Sequence, residues 1–282
     1  MHWNALEPGF LFLAGHLVTR EDSALRKALL YIFARYIEIP MLKAGYAGTR
    51  GRLRFLSSNK LSRFILKRFL LHPIGIHAET AHPMPTDDVL RLIDDQQAAM
   101  AVGPCRCRIA HGRCLHRLET DLVIRTGTEA FTKAWPKDYR VLNREEAKSL
   151  IEECAGDGLW HMVFVHCPAD TGMNEYVICN CCADGCVPFL LNKVFGQDGF
   201  PLVRGEYLAE TEYGQCRGCG ECLDVCPWEA RAAINGAAVV DEEKCFGCGL
   251  CARTCRNGGV RLAKLRARPP LRTYQERAGY LP

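Results

Sequence analysis

Eight cysteines fall in two short segments of identical spacing. Cys216, Cys219, Cys222 and Cys226 lie in CRGCGECLDVC, and Cys245, Cys248, Cys251 and Cys255 in CFGCGLCARTC. A thiolate can act as nucleophile, disulfide partner or metal ligand, and the spacing discriminates among these. C-x2-C-x2-C lets one loop place three sulfurs around a single polynuclear centre, and iron–sulfur cubanes are held by four thiolates. A single tetrahedral zinc has no use for a third cysteine at x2 followed by a fourth at x3. Gly218, Gly220, Gly247 and Gly249 within the loops allow the backbone to approach such a centre closely and to turn N–H groups toward it.

Nine further cysteines of the 17 lie upstream. Cys105, Cys107 and Cys114 occur in GPCRCRIAHGRC, and Cys179, Cys181, Cys182 and Cys186 in YVICNCCADGC. Two such groups, separated by strand and helix sequence, are expected to be loops of one domain converging on a metal. Three readings stand open: a third iron–sulfur site, zinc held by four thiolates or by three with His111 or His116, and redox-active or buried thiols. Cys154 falls on the apolar face of its helix with Ala147, Leu150 and Ile151 and reads as a buried, inert thiol. Cys167 is either a ligand or a loop residue. Arg106 and Arg108 alternate with Cys105 and Cys107. In an extended stretch they would share the face opposite the thiols, either solvated or supporting a carboxylate or a reduced, more negative cluster. His161 and His166 flank a strand and read as hydrogen-bonded residues rather than ligands.

The elements that must position these thiols fall into four regions: 1–80, a basic helical region; 81–200, a cysteine-rich metal-binding domain; 201–262, the paired cysteine repeats; and 263–282, a basic tail. Residues 1–80 carry 12 Lys/Arg against 5 Asp/Glu. Helices are expected over 24–39, stopped by Pro40, and over 60–71, with Leu61, Phe64, Ile65 and Phe69 opposite Lys60, Arg63, Lys67 and Arg68. Such apolar faces pack on the domain behind them or offer a basic docking surface for an acidic redox partner or an anionic membrane. AHPMPT reads as a linker, with Thr86 capping a helix over 87–100. Strands are expected at 121–126, 162–165 and 176–179. A helix is expected over 144–154, with Asn143 as N-cap and Glu146 completing a capping box. From about residue 201 the sequence repeats itself, as two pseudosymmetric units of hairpin and short helix.

The downstream repeats resemble the bacterial two-[4Fe-4S] ferredoxins over residues 203–262, with Cys226-Pro227 matching that family's Cys-Pro. The resemblance implies a (βαβ)2 unit and two [4Fe-4S] clusters, and that each fourth cysteine serves the other repeat's cluster. The first cluster would take Cys216, Cys219, Cys222 and Cys255, and the second Cys245, Cys248, Cys251 and Cys226. Arg256 and Asn257 stand where Pro and a neutral residue are usual, which implies a cation beside the first cluster and a raised potential. Residues 103–186 resemble a group of cysteine-rich iron–sulfur proteins of anaerobe type, through Pro104-Cys105-Arg106-Cys107-Arg108, Arg140 to Ala147 with Gly158, Leu159 and His161, and Ile178 to Cys182. Here ADGC replaces that group's further cysteine run after Cys182.

The expected fold class is α+β. No dinucleotide, P-loop, zinc-protease or serine-hydrolase motif is present, which argues against a self-contained nicotinamide dehydrogenase. No run approaches the roughly 20 apolar residues of a spanning helix, and the run 10–18 lacks a basic lead and a cleavage site. The expectation is a cytoplasmic electron-transfer protein or oxidoreductase subunit with a redox-partner protein and no nucleic acid. The alternative is a ferredoxin-fused reductase acting on a small-molecule substrate.

Overall fold

The computed structural model describes residues 31–51, 59–65, 82–166, 175–197 and 202–265, with residues 28, 54, 55 and 200. Cys167, the ends of both N-terminal helices expected above, and the basic tail beyond residue 265 lie outside them.

Six strands form the central sheet: β1 (His82–Met84), β2 (Met100–Pro104), β3 (Glu119–Ile124), β4 (Arg140–Leu142), β5 (Trp160–His166) and β6 (Glu175–Cys181). Their order is β1-β5-β6-β3-β2-β4, every neighbouring pair antiparallel. β3 shows why the sheet has two covered faces. Leu122 and Ile124 point into one core with Ile151, Val163 and Ile178, while Val123 joins Ala101, Phe131 and Val177 on the other. That alternation is the period of a strand buried on both sides.

The first face is covered by α3 (Thr86–Asp94) and α6 (Arg144–Gly156). α6 begins with the capping box anticipated from sequence: Asn143 accepts from the Glu146 backbone N–H at 2.9 Å, and the Glu146 carboxylate accepts from the Asn143 N–H at 2.8 Å. Cys154 is buried on its apolar face. The other face carries α4 (Arg106–His111), α5 (Thr126–Ala134), α7 (Val187–Phe195) and the N-terminal helix α1 (Glu38–Thr49); α2 (Lys60–Ile65) is a short separate turn.

Several expectations change. Pro40 does not stop the N-terminal helix but sits in the first turn of α1, and a π-turn over Phe33–Ile37 precedes it, with the Glu38 N–H bonding back to Phe33 O. Proline cannot donate to the carbonyl four residues back, so the helix widens by one residue just before it. Burial falls on Ala34 and Leu42, and Ile32 and Tyr36 are exposed. Leu61, Phe64 and Ile65 of α2 are exposed too, so among the described residues nothing covers this apolar face. AHPMPT is not a linker: His82–Met84 forms edge strand β1 on β5. Thr86 is not the cap of α3, since Pro85 takes that place and the Thr86 hydroxyl bonds His161 Nε2 at 3.1 Å. α3 ends at Asp94, freeing Met100 for β2.

The downstream unit runs β7 (Tyr207–Thr211), α8 (Glu221–Asp224), β8 (Arg231–Ile234), β9 (Ala237–Val240), α9 (Leu250–Thr254) and β10 (Val260–Lys264). In place of two hairpins it has one, β8–β9, turning at Asn235-Gly236 with both residues at positive φ, and a long-range pair of its first and last strands, β7–β10. Asn-Gly is the pair that such a two-residue turn favours. Among the described residues, no helix is long and apolar enough to cross a membrane.

Candidate metal centres

The downstream repeats form two partly open hollows: Cys216, Cys219, Cys222 and Cys255 line one, and Cys226, Cys245, Cys248 and Cys251 line the other. Each cavity thus takes three sulfurs from one repeat and the last sulfur of its twin. The arrangement repeats in detail: the Ala230 N–H donates to Cys226 Sγ at 3.3 Å, and the Gly259 N–H donates to Cys255 Sγ at 3.2 Å. Backbone donors of this kind stabilise negative charge on sulfur. The loops wind tightly enough to require glycine. Gly218 (φ 65°) and Gly247 (φ 69°) would place a Cβ within 2.2 Å of Gly236 O and 2.1 Å of Tyr207 O.

The second cavity is lined by a cation that the sequence reading did not single out, and its charge reaches thiols of both. Arg231 is buried, donates from Nη2 to Ala209 O at 2.6 Å and from Nη1 to Thr211 Oγ1 at 3.1 Å, and leaves Nε without a partner among the described residues. Burial raises the thiols of Cys222 in the first cavity and Cys251 in the second, the latter to about 11, and the Arg231 charge lowers both. Arg256, expected beside the first centre, is exposed and does not line the cavity. The four-sulfur lining, the glycine loops and the unpartnered guanidinium nitrogen suit a compact anionic iron–sulfur group.

Upstream, the strand pleat sorts the thiols. Cys179 and Cys181 share one face of β6 while Ile178 and Asn180 take the other; Cys182, just past the strand, packs with the Ile178 core. On the first side, Cys105 caps α4, Cys107 stands in its first turn, and Cys186 caps α7. These thiols interact electrostatically with one another and with Cys181, Cys105 acting on Cys107, Cys107 on Cys186 and Cys186 on Cys181. The Val187 N–H donates to Cys107 Sγ at 3.4 Å. Cys179 lies beside this group and donates to Asp121 Oδ1 at 3.5 Å, while the Tyr139 hydroxyl donates to Asp121 Oδ2 at 2.5 Å. Burial pushes the Cys179 thiol well above its ordinary value, and loss of hydration, then the Asp121 carboxylate, push Glu38 up to about 8.

On the second side, Cys114 Sγ lies 3.4 Å from Cys182 Sγ, with His116 and Asp184 close by. His111 is not among this group. It holds the neighbouring turn, with Nε2 3.2 Å from Gly185 O and its ring stacked on Tyr46.

The arginines of PCRCR are neither extended nor solvated, because the segment is helical from Arg106 and buries both. Arg106 lies over the Trp135 ring at 4.5 Å and bonds Glu38 at 3.3 Å, tying the N-terminal helix down. Arg108 donates to Thr120 Oγ1 at 2.8 Å, to Arg117 O at 2.5 Å and to Asn180 O at 3.0 Å, and its charge acts on Cys105, Cys182 and Cys114. His161 is a hydrogen-bonded core residue, with Nδ1 2.6 Å from Asn180 Oδ1. The His166 side chain lies outside the described atoms.

One buried aromatic group joins the two halves. Trp160, opposite Cys181 across β5–β6, packs on Phe189 (5.2 Å) and Trp228 (5.3 Å), and Trp228 stacks on Phe246 at 4.6 Å. Trp228 and Phe246 also line the second downstream cavity. No sequence motif marks this contact, since each ring follows ordinary core patterning in its own segment.

Comparison with known proteins bears on the downstream half. Residues 209–256 match the family described as the 4Fe-4S dicluster domain. An uncharacterized ferredoxin from Methanocaldococcus jannaschii is 38% identical over 39 residues, 14% of this chain, which spans only 26% of that relative. Residues 209–256 therefore carry a 4Fe-4S dicluster domain, a ferredoxin-like module whose chemistry is iron–sulfur electron transfer.

Proposed function

We propose that the chain relays single electrons between a partner protein and an upstream redox centre. The carrying observation is the shared core: Cys107, Cys179, Cys181 and Cys186 pack in the same buried group as Trp228, Phe246, Leu250 and Cys248. Two [4Fe-4S] clusters occupy the downstream cavities, held by Cys216, Cys219, Cys222 and Cys255, and by Cys245, Cys248, Cys251 and Cys226. A third iron–sulfur cluster is held by Cys105, Cys107, Cys181 and Cys186. When bound, these groups supply one-electron redox steps with little change of geometry. The chain's own contribution is to exclude water with the aromatic group, to donate N–H bonds to sulfur and to place one guanidinium beside each pair of thiol sites. The exposed Phe55, Leu61, Phe64 and Ile65, among basic residues, suit a docking face for an acidic partner or a membrane surface. A reducing, cytoplasmic and anaerobic setting fits so many unpaired thiols.

A second reading, a ferredoxin-fused reductase, is favoured by Cys179. It is the thiol the four-sulfur set does not need, and it is hydrogen-bonded to the buried Asp121, which also accepts from Tyr139 and feels the charge of Glu38. Anaerobic iron and acid-labile sulfide analysis tests the relay: about twelve irons per chain are expected. About eight would remove the upstream cluster, and none would remove the whole account. A small molecule that perturbs only one EPR signal of the reduced chain would favour the reductase.

A further inference from the structure

We infer that Cys114, His116, Cys182 and Asp184 form a separate site for one divalent ion of borderline softness, zinc by preference. Their four donor atoms lie within 4.8 Å of one another. Cys114 Sγ is 3.4 Å from Cys182 Sγ and 3.8 Å from Asp184 Oδ1, and His116 Nε2 is 4.0 Å from the same oxygen. A tetrahedral ion with bonds of about 2.0–2.3 Å needs donors about 3.3–3.8 Å apart, so the group is already near the required spacing.

The donor set selects the ligand. Two thiolates exclude magnesium and calcium, which take oxygen, and an imidazole with a carboxylate does not suit a cubane held by four sulfurs. Nor do these thiols belong to the four-sulfur group upstream. The pleat of β6 sends Cys182 to the side opposite Cys179 and Cys181, and the buried Arg108 acts on thiols of both groups. That guanidinium offsets the excess negative charge that two thiolates and a carboxylate leave around a divalent ion. Four protein donors leave no open position, which is the pattern of a structural site.

The site would act as a clip. It joins the segment after α4, through Cys114 and His116, to the turn from Cys182 to Cys186, where the Cys186 N–H bonds Cys182 O at 3.1 Å. Cys186 faces the other thiol group, so the ion would tie down the outer side of the turn without taking part in that group. His116 and Asp184 are 37% and 51% exposed, which leaves the site open to loading from solvent.

The test uses the full-length chain with its clusters in place, purified without oxygen and supplied with Zn²⁺. Zinc-edge X-ray absorption avoids interference from iron. We expect about one zinc per chain with about two sulfur donors and two lighter ones. Cys114→Ser should weaken zinc binding by at least about tenfold, and His116→Ala, an exposed change that spares the core, should do the same. Both variants should keep the iron content of the wild type. The assignment fails if the wild-type chain binds no zinc, if zinc shows four sulfur donors, or if His116→Ala binds it unchanged. Iron lost together with zinc in His116→Ala would also overturn it, by placing these residues in a cluster site. Wild-type iron with no zinc would leave the electron relay standing.

Discussion

Two buried arginines invite comparison, one in each half of the molecule. Arg231 lines the second downstream cavity and its charge reaches thiols of both, Arg108 lies between the two upstream thiol groups, and each leaves its Nε without a partner among the described residues. The surroundings differ. Around Arg231 every sulfur comes from two copies of one loop, and backbone geometry fixes the sites. Around Arg108 the sulfurs come from α4, the loop after it, the end of β6 and the start of α7, and the side-chain directions of a sheet decide which thiols meet. One half is built from repetition, the other from tertiary convergence.

The contrast is broken most directly through glycine. Gly247→Ala forces a Cβ against the Tyr207 carbonyl at a left-handed backbone position, and should destabilise the cluster-loaded chain by at least about 3 kcal/mol. Gly112→Ala ends α4 upstream at a similar φ of 63° but meets nothing within 4 Å, and should cost about 1 kcal/mol. Equal shifts in denaturation midpoint would show that close backbone approach does not set the downstream loops.

Next in size is a pH effect confined to the upstream sheet. Burial pushes His161 from its ordinary 6.5 down to about 4. The Asn180 bond opposes this, Arg253 adds to it, Glu152 opposes it, and Thr86 bonds the other ring nitrogen. The unfolded chain takes up a proton near 6.5 that the folded chain refuses until about 4. Stability is therefore full above 6.5 and is lost as pH falls toward 4, by up to about 3 kcal/mol. Denaturation of His161→Gln should show a flatter profile over that window; a profile as steep as the wild type's would count against it.

The smallest effect compares the arginines themselves. Removing a cation disfavours the reduced, more negative centre. With the two proposed downstream clusters loaded, Arg231→Gln should lower both potentials by about 60 mV, or roughly 1.4 kcal/mol per electron, and leave any upstream signal in place. Arg108→Gln should do the reverse. Potentiometric EPR titration reads both, and a shift of every centre in either variant would deny that each guanidinium serves its own half.

What the sequence made legible follows the same division. The C-x2-C-x2-C-x3-C loops announce themselves because their spacing is local, and so do the Asn143–Glu146 box and the buried Cys154. Pro40 misleads because a π-turn accommodates it, and AHPMPT misleads because turn-rich residues can still pair at a sheet edge. The upstream thiols stayed unsorted because their spacing in sequence carries no distance in space. Even so, one signal was available: if 175–181 is a strand, Cys181 and Cys182 cannot face the same way. Nothing local distinguishes Arg108 from a surface cation, since its burial depends on Thr120 and Asn180 from two strands of the sheet.

Among the described residues, the aromatic group of Trp160, Phe189, Trp228 and Phe246 reaches one of the two downstream cavities and not the other. This gives the molecule a weathered end and a sheltered one. Cys219, at the far end, is exposed, whereas the cavity beside Trp228 is walled by rings. With a cluster in each cavity, as proposed, dioxygen diffusing in from solvent would meet the outer one first, so air should bleach the module in two stages, and the last colour to fade should belong to the centre that leans on the tryptophans.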